Sequence, residues 1–580
     1  MSVLMQSGRI PVLRSLSLLA LRQQLGFLRA DLGGGGLLEP CAAPRYTMPM
    51  KTLRNNRTAF RPPENKTGAA AWDGSVTRRH FLAGTAAMAG AWAMAETTPV
   101  AATRQRRSCY NNFAEHLLNA FNPNMLYPDL PYRWNDPDWF RFIDMIGDFG
   151  FTHFEFWLVP RLFSRAGLEQ PFGAAFTRQM NAIIEHGKTR GVGVKLLAAL
   201  TTVGDDWHTH CPNVPAEWEE VVLLWDEWTR RLPGLDVVGI FPGDPGGCSR
   251  NGCTAQTFID SALRIADRVK QNQPGAEIEI GTWGTPFWGW GSIQGPPDWK
   301  GEFIPAIQGT AWQFDKKRAD EAMAYFMKRL PDFPDDTSVA INLAFNADGD
   351  PDRDGGLMDA RPWAREIAKT NRIVTWDFSL TEGENAILPH YRFDRLYAQR
   401  RRELDAAPYQ GGICFTMTPL LNQLSLYQSA RSFQEPHADH RALTRAFYRR
   451  LFGPEAEALA VLLPLFEIIP DWGNYTRVEL SRTEFHAKMV EGAELLRALE
   501  GKEKEETPFH PAPSAHRKDL LFFFELFRDL SGPAPDFDAL TQTYWQRVYA
   551  IYDRLPQHVD PRPHGATERL IRHFDPDWKG

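Results

Sequence analysis

Between residues 113 and 430 the chain alternates short apolar runs with longer amphipathic stretches. His153-Phe154-Glu155-Phe156-Trp157-Leu158 precedes a helical pattern over 174–190, and Gly193–Leu200 precedes one over 215–231. Asp236–Phe241 leads to a helical 254–272, and Glu277–Trp283 follows it. Ser338–Phe345, Arg372–Phe378 and Gly411–Met417 are further strand candidates, with helical patterns over 359–369 and 393–405. Such alternation predicts a parallel sheet, and the number of repeats predicts a closed (β/α)8 barrel.

Two registers satisfy the count. If 153–158 is the first strand, Ala306–Trp312 must be the fifth. The alternative makes 137–149 the first helix, since Phe142, Ile146 and Phe149 share a face and Asp136-Pro137 reads as a cap followed by the first helical residue. That register is preferred; it makes 153–158 the second strand, 236–241 the fourth, and puts the first around Leu117–Phe121. From 439 onward strand patterns give way to helical ones over 439–452, 455–468, 481–503, 514–530 and 536–554. The expected architecture is therefore an α/β barrel over 96–430 followed by an all-α helical domain over 431–580.

The beginning of the chain has a different character. Thr77-Arg78-Arg79-His80-Phe81-Leu82, the small apolar run from Ala83 and the terminal Ala93-Met94-Ala95 form a twin-arginine export signal over 77–95. Residues 1–76 read as a disordered or mis-assigned extension. The signal predicts a bacterial protein exported folded, by twin-arginine machinery, to the periplasm or beyond. Its apolar run is too short for a permanent span, and no later run replaces it. The whole chain carries a formal charge of −6. Removing residues 1–95 leaves 53 Lys and Arg against 67 Asp and Glu, a charge of −14. An acidic chain without a basic block argues against nucleic acid or an anionic membrane as partner. Five cysteines remain, Cys109, Cys211, Cys248, Cys253 and Cys414, too few for a disulfide scaffold. Cys248 and Cys253 are spaced for a local bridge; a zinc site is disfavoured because no second Cys or His pair stands nearby at ligand spacing.

In such a barrel the chemistry belongs to the strand C-terminal ends and the loops after them. After the fourth strand comes Phe241-Pro242-Gly243-Asp244-Pro245-Gly246-Gly247-Cys248, in which flanking glycines allow a sharp turn presenting Asp244. The second strand offers His153, Glu155 and Trp157 on one face. The loop after the third carries Asp205, Asp206, His208 and His210; the fifth ends at Trp283, and the seventh at Trp376 and Asp377 with Glu382 beyond. Carboxylates and indoles at one mouth suit a sugar, whose C–H faces stack on tryptophan and whose hydroxyls pair with Asp, Glu and His. Asp244 is the candidate general acid and Glu155 or Asp377 the second carboxylate. Trp157, Trp283 and Trp376 would shape the subsite, with Asp205, Asp206, His208 and Glu382 as further contacts to a carbohydrate substrate. A strand-end indole also serves as a barrel cap, Asp244 could cap the next helix, and Asp377 could pair with a barrel arginine. Lys195 and Arg161 would suit an acidic sugar or structural ion pairs.

The order of helix 137–149, strand His153–Leu158, Lys188–Val194 leading into the third strand and a Gly-Asp turn after the fourth resembles barrel glycoside hydrolases of the β-N-acetylhexosaminidase and α-glucuronidase type. Tyr448–Glu455, opening the helical tail, is similar to the C-terminal region of several of them. The resemblance implies hydrolysis of a glycosidic bond without a catalytic cofactor. Hexosaminidases carry Asp-Glu after the fourth strand, whereas Asp244 precedes Pro245, which implies Asp244 itself, or a group on another strand, as the acid. Two rivals remain: a metal-dependent barrel hydrolase or sugar isomerase using His208 and His210, with His153, Glu155 and Asp206 as further ligands, and a non-catalytic glycan-binding barrel. Asp348, Asp350, Asp352 and Asp354 before Gly355 suit either a structural calcium site or a solvated acidic loop; the bidentate Glu of an EF-hand is replaced by Arg361.

Overall fold

The computed structural model describes residues 106–111, 135–204, 208–243, 247–248, 250–282, 285, 316–341, 360–377, 389, 391, 393–415, 421–468, 480–504, 509 and 511–551, a few of them as backbone only. The export signal, the extension before it and the Asp348–Asp354 loop lie outside them, as does the segment 117–121. Eight parallel strands close into a barrel: β1 Arg106–Asn111, β2 His153–Trp157, β3 Gly193–Ala199, β4 Val237–Phe241, β5 Glu277–Gly281, β6 Ser338–Ile341, β7 Ile373–Asp377 and β8 Gly411–Phe415. Each pairs with its sequence neighbours, and β1 pairs with β8 from Arg106↔Gly411 to Tyr110↔Phe415. The preferred register holds, with one correction. The first strand is Arg106–Asn111, upstream of the expected Leu117–Phe121.

Eight helices alternate with these strands: α1 Asp136–Phe149, α2 Pro171–Arg190, α3 Pro215–Arg231, α4 Ala255–Asn272, α5 Lys316–Arg329, α6 Arg361–Ile367, α7 Phe393–Ala406 and α8 Gln423–Gln434. Helix α1 starts where local chemistry satisfies its orphan amides. Asp138 N–H donates to Asn135 Oδ1 at 3.2 Å, and Asn135 N–H donates to Asp138 Oδ2 at 3.2 Å. The cap is therefore Asn135, one residue before the expected Asp136. Gly150, at φ 101°, ends the helix in the left-handed region. The buried face of α1 runs Trp139, Phe142, Ile143, Ile146 and Phe149, the spacing of one helical stripe. Two tryptophans of α3 act as pins. Trp225 and Trp228 donate their indole N–H to the carbonyls of Leu200 and Leu162, each at 3.1 Å.

Beyond α8 come α9 His440–Phe452, a run of short helical turns, α10 Arg482–Ala498, α11 Pro513–Leu530 and α12 Phe537–Ile551. Their apolar residues belong to the same continuous core as the barrel's. Contact is made through Phe149, at the end of α1. Its ring meets Tyr427 of α8 at 5.6 Å, Phe447 of α9 at 6.0 Å and Phe509 at 5.6 Å. Arg450 adds an ion pair to Asp148 at 2.7 Å. Burying one such phenylalanine contributes about 1.5–3 kcal/mol. The tail also reaches the mouth-side starts of two barrel helices: His440 pairs with Asp394 of α7 at 2.7 Å, and Gln423 Nε2 of α8 donates to Pro511 O at 3.0 Å. No described helix is long and apolar enough to cross a membrane.

Candidate active site at the barrel mouth

The barrel interior is built in layers, and the lower one is charged. Arg106, on β1, reaches across to β5, where its guanidinium bonds Glu277 at 2.9 Å and also Glu279. Strands β1 and β5 are four places apart in the ladder, so these side chains must meet through the interior. At the foot Arg372 joins Glu277 at 2.7 Å. Ser338 of β6 accepts from Arg106 at 2.7 Å. Lys195 of β3 pairs with Glu279 and, at 2.9 Å, with Glu155 of β2, its direct register partner. Glu155, Lys195 and Glu279 are fully buried.

The two carboxylates around Lys195 are not equivalent. For Glu155, burial is the largest influence and pushes its pKa up; Lys195 opposes it and the negative Glu279 adds to it, giving about 7. Its carboxylate accepts no hydrogen bond from a described group: the Lys195 contact is close but outside hydrogen-bond alignment. For Glu279, burial pushes the same way, yet the charges of Lys195 and Arg106 outweigh it and hold the pKa below the ordinary range. Lys195 thus sits between one firmly ionised carboxylate and one that titrates near neutrality.

Two residues further along the strands the interior turns aromatic. Trp157 of β2 packs edge-on against Phe241 of β4 at 6.1 Å, and Phe241 against Trp376 of β7 at 5.8 Å. The row spans β2, β4 and β7 and floors the mouth over the charged layer. Gly281 of β5 makes room for it: a Cβ there would stand 3.0 Å from both Phe241 Cβ and Trp376 Cζ3. Trp157 and Trp376 are only 5 % and 4 % exposed, so their indoles form floor and not free stacking faces.

The strands that lead to the groups expected to do chemistry end beside this floor. Strand β4 ends at Phe241, and Gly243, at φ 118°, turns the backbone in a way that favours glycine, immediately before Asp244. Asp244 itself lies outside the described residues. Helix α4 starts behind Thr254, ten residues beyond Asp244, and Thr254 N–H donates to Thr257 Oγ1 at 3.0 Å. Asp377 is the last residue of β7, at the mouth end of the strand, with only its backbone described. After β3 a two-stranded antiparallel ribbon, Thr202–Val203 with His208–Thr209, brackets Asp205 and Asp206. Those two aspartates, Trp283 and Glu382 lie outside the described residues, and His208 is placed by its backbone alone.

Of the groups in the rival metal reading, His153, Glu155 and His210 have described side chains, and these three do not come together. His153 stands at the first position of β2, the foot end, with Nδ1 2.8 Å from Thr152 Oγ1. Glu155 is enclosed in the charged layer, and His210 pairs with Glu220 at 3.1 Å. Arg161, the other candidate for an acidic sugar, lies over the ring of Phe172 at 5.1 Å. Two features went unanticipated. One is the Lys195–Glu155–Glu279 cluster, although all three residues occupy inward positions of their strands. The other is a group of three cysteines, Cys211, Cys248 and Cys253, which is the sole set of potential metal-ligating side chains in close mutual reach among the described residues.

No family model matches the chain, and no curated protein matches its sequence. Solved structures of similar layout include a mutant O-GlcNAc hydrolase of Thermobaculum terrenum, with 11 % identity over 76 % of this chain and 91 % of that one, at a TM-score of 0.43. A GH138 enzyme targeting pectin rhamnogalacturonan II has 8 % identity over 81 % of this chain and 66 % of that one, at a TM-score of 0.42. A protein named CpGH84B has 9 % identity over 81 % and 74 %, at 0.38. Likeness at this level assigns no residue a role, because one barrel layout carries many chemistries.

Proposed function

We propose that this chain is a glycoside hydrolase working at the C-terminal mouth of its barrel, with Asp244 as general acid and Asp377 as second carboxylate. The observation that carries the reading is the turn after β4. Gly243 adopts a left-handed conformation at the mouth, just before a carboxylate that lies ten residues ahead of the N-cap of the following helix. Protonation of the leaving oxygen requires one such acid, and the oxocarbenium centre is stabilised or attacked by a second carboxylate or by the substrate's own acetamido group. Asp377 is favoured over Glu155 because β7 ends at it, whereas Glu155 is enclosed beneath Trp157 and held by Lys195. Trp157 and Trp376 form the floor of the subsite. Trp283 supplies a stacking face, and Asp205, Asp206, His208 and Glu382 pair with the hydroxyls of a carbohydrate. The chain is exported through the twin-arginine route to the periplasm or beyond; replacing Arg78 and Arg79 with lysine is expected to strand it in the cytoplasm.

The test is hydrolysis of a panel of aryl glycosides and polysaccharides by the protein starting at Glu96 and by its Asp244→Asn and Asp377→Asn variants. Activity that collapses in both while the fold persists supports the assignment. Full activity in Asp244→Asn removes it as the acid. Hydrolysis or isomerisation that appears only with an added transition metal transfers the chemistry to His208 and His210. A carboxyl separation of about 5 Å in a liganded structure would specify retention of configuration, and about 6.5–9.5 Å inversion.

A further inference from the structure

Three cysteines from two loops converge beside the mouth. Cys211 follows the ribbon after β3, while Cys248 and Cys253 lie in the connection from β4 to α4. All three are buried, and their sulfurs lie within 4.8 Å of one another. We propose that Cys211, Cys248 and Cys253 form a binding site for a soft divalent cation, zinc in the first instance, that ties the β3 loop to the loop bearing Asp244. This inference does not depend on the glycosidase reading.

The geometry suits a metal better than a disulfide. Cys211 Sγ and Cys253 Sγ are 3.6 Å apart. Zinc–sulfur bonds of about 2.3 Å at tetrahedral angles put two sulfurs about 3.8 Å apart, whereas a disulfide needs about 2.05 Å. Three thiolates leave the fourth tetrahedral position to a water or a further side chain. The chain supplies a turn for the purpose. Asn251 and Gly252 both have positive φ, 51° and 70°, and Cys253 N–H donates to Arg250 O at 3.0 Å, bringing Cys253 back over Cys248.

Each sulfur also has an N–H donor, as metal-bound thiolates require. Arg250 N–H faces Cys248 Sγ at 3.3 Å, Asn213 Nδ2 faces Cys253 Sγ at 3.5 Å, and Asn251 Nδ2 faces Cys211 Sγ at 3.5 Å. Cys211 and Cys248 also have Arg250 O within S–H donating reach, at 3.8 and 3.9 Å. Loading zinc releases the thiol protons to solvent. A zinc ion with three thiolates carries one negative charge. The guanidinium of Arg250 is anchored alongside by Glu217 at 2.6 Å and Thr209 O at 2.8 Å.

The test is metal content. The full chain, purified folded and without chelator, is expected to hold one equivalent of zinc by elemental mass spectrometry. Exchange for cobalt should give thiolate-to-metal charge-transfer absorption and the visible bands of a tetrahedral site. Cys211→Ser and Cys253→Ser should each lose more affinity than the about 10- to 100-fold typical of removing an outer partner. Cys414→Ser, on β8, should keep the metal. If the cysteine variants fail to fold, competition of the wild-type chain with a chromophoric chelator decides the matter without them. A wild-type chain that takes up no zinc under reducing, anaerobic conditions overturns the proposal. So does a Cys211–Cys253 disulfide in the native protein, or stoichiometric zinc in the Cys211→Ser/Cys253→Ser double variant.

Discussion

Replacing Glu155 by glutamine should abolish a loss of stability that the wild type undergoes as pH rises, and so change the pH dependence of unfolding in one direction. In the folded protein the Glu155 carboxyl titrates at about 7; in the unfolded chain it returns to about 4.5. A raised carboxyl binds its proton more tightly in the native state. Its contribution is therefore fully present below about pH 4.5, erodes between 4.5 and 7, and is gone above that. The interval between the two values, at about 1.4 kcal/mol per pH unit, is worth about 3 kcal/mol. Glutamine keeps the shape and titrates nowhere. The stability of wild type minus that of Glu155→Gln should thus fall by about 3 kcal/mol from pH 4.5 to 8. Urea unfolding followed by tryptophan fluorescence at closely spaced pH values measures this difference, and groups common to both proteins cancel. A flat difference, or one that rises with pH, would refute the account of Glu155 as the carboxylate that Lys195 fails to hold ionised.

Other consequences can be checked with the same instrument. Lys195→Met removes the cation between two buried carboxylates and should cost about 3–5 kcal/mol, much of it regained in Lys195→Met/Glu155→Leu. Gly281→Val should cost about 1–3 kcal/mol and alter the near-ultraviolet circular dichroism, because the new side chain enters the space of Phe241 and Trp376. His516 is buried without a hydrogen-bond partner beside Tyr448, and burial lowers its pKa to about 4. Its contribution is present above the usual 6.5 and lost as pH falls toward 4. His516→Phe should therefore remove about 3 kcal/mol of acid sensitivity in that window, measured as the urea midpoint against pH.

Strands β2 to β8 read plainly from sequence because their helix-facing positions are apolar, as with Phe154 and Phe156 of β2, Val194 and Leu196 of β3, and Ile278 and Ile280 of β5. Strand β1 escaped because its inward Arg106 exists to meet Glu277 and Glu279, some 170 residues away. A charged residue whose partners are that distant looks like surface. The same blindness affects the cysteines. Cys248 and Cys253 are visible as a local pair, but Cys211 joins them only once β3 and β4 are neighbours. Indoles show the converse difficulty. Strand alternation makes Trp157 and Trp376 legible as inward-facing residues. Whether their faces were open or covered depended on Phe241 and on a glycine at 281. The glycine at 243 was legible because positive φ is a local requirement.

A charged layer inside the barrel also bears on the order of assembly. A chain extended only through β4 has brought Arg106 and Lys195 to the inner face with Glu155 as their sole acidic companion in that layer. Glu277 and Glu279 arrive with β5, and Arg372 only with the approach to β7. A half-barrel would have to bury two cations against one carboxylate that prefers its proton, which the low-dielectric interior penalises heavily. The eight strands are therefore not two separable halves. Closure is one cooperative event, keyed by residues that emerge late, and a fragment cut between β4 and β5 should not fold by itself.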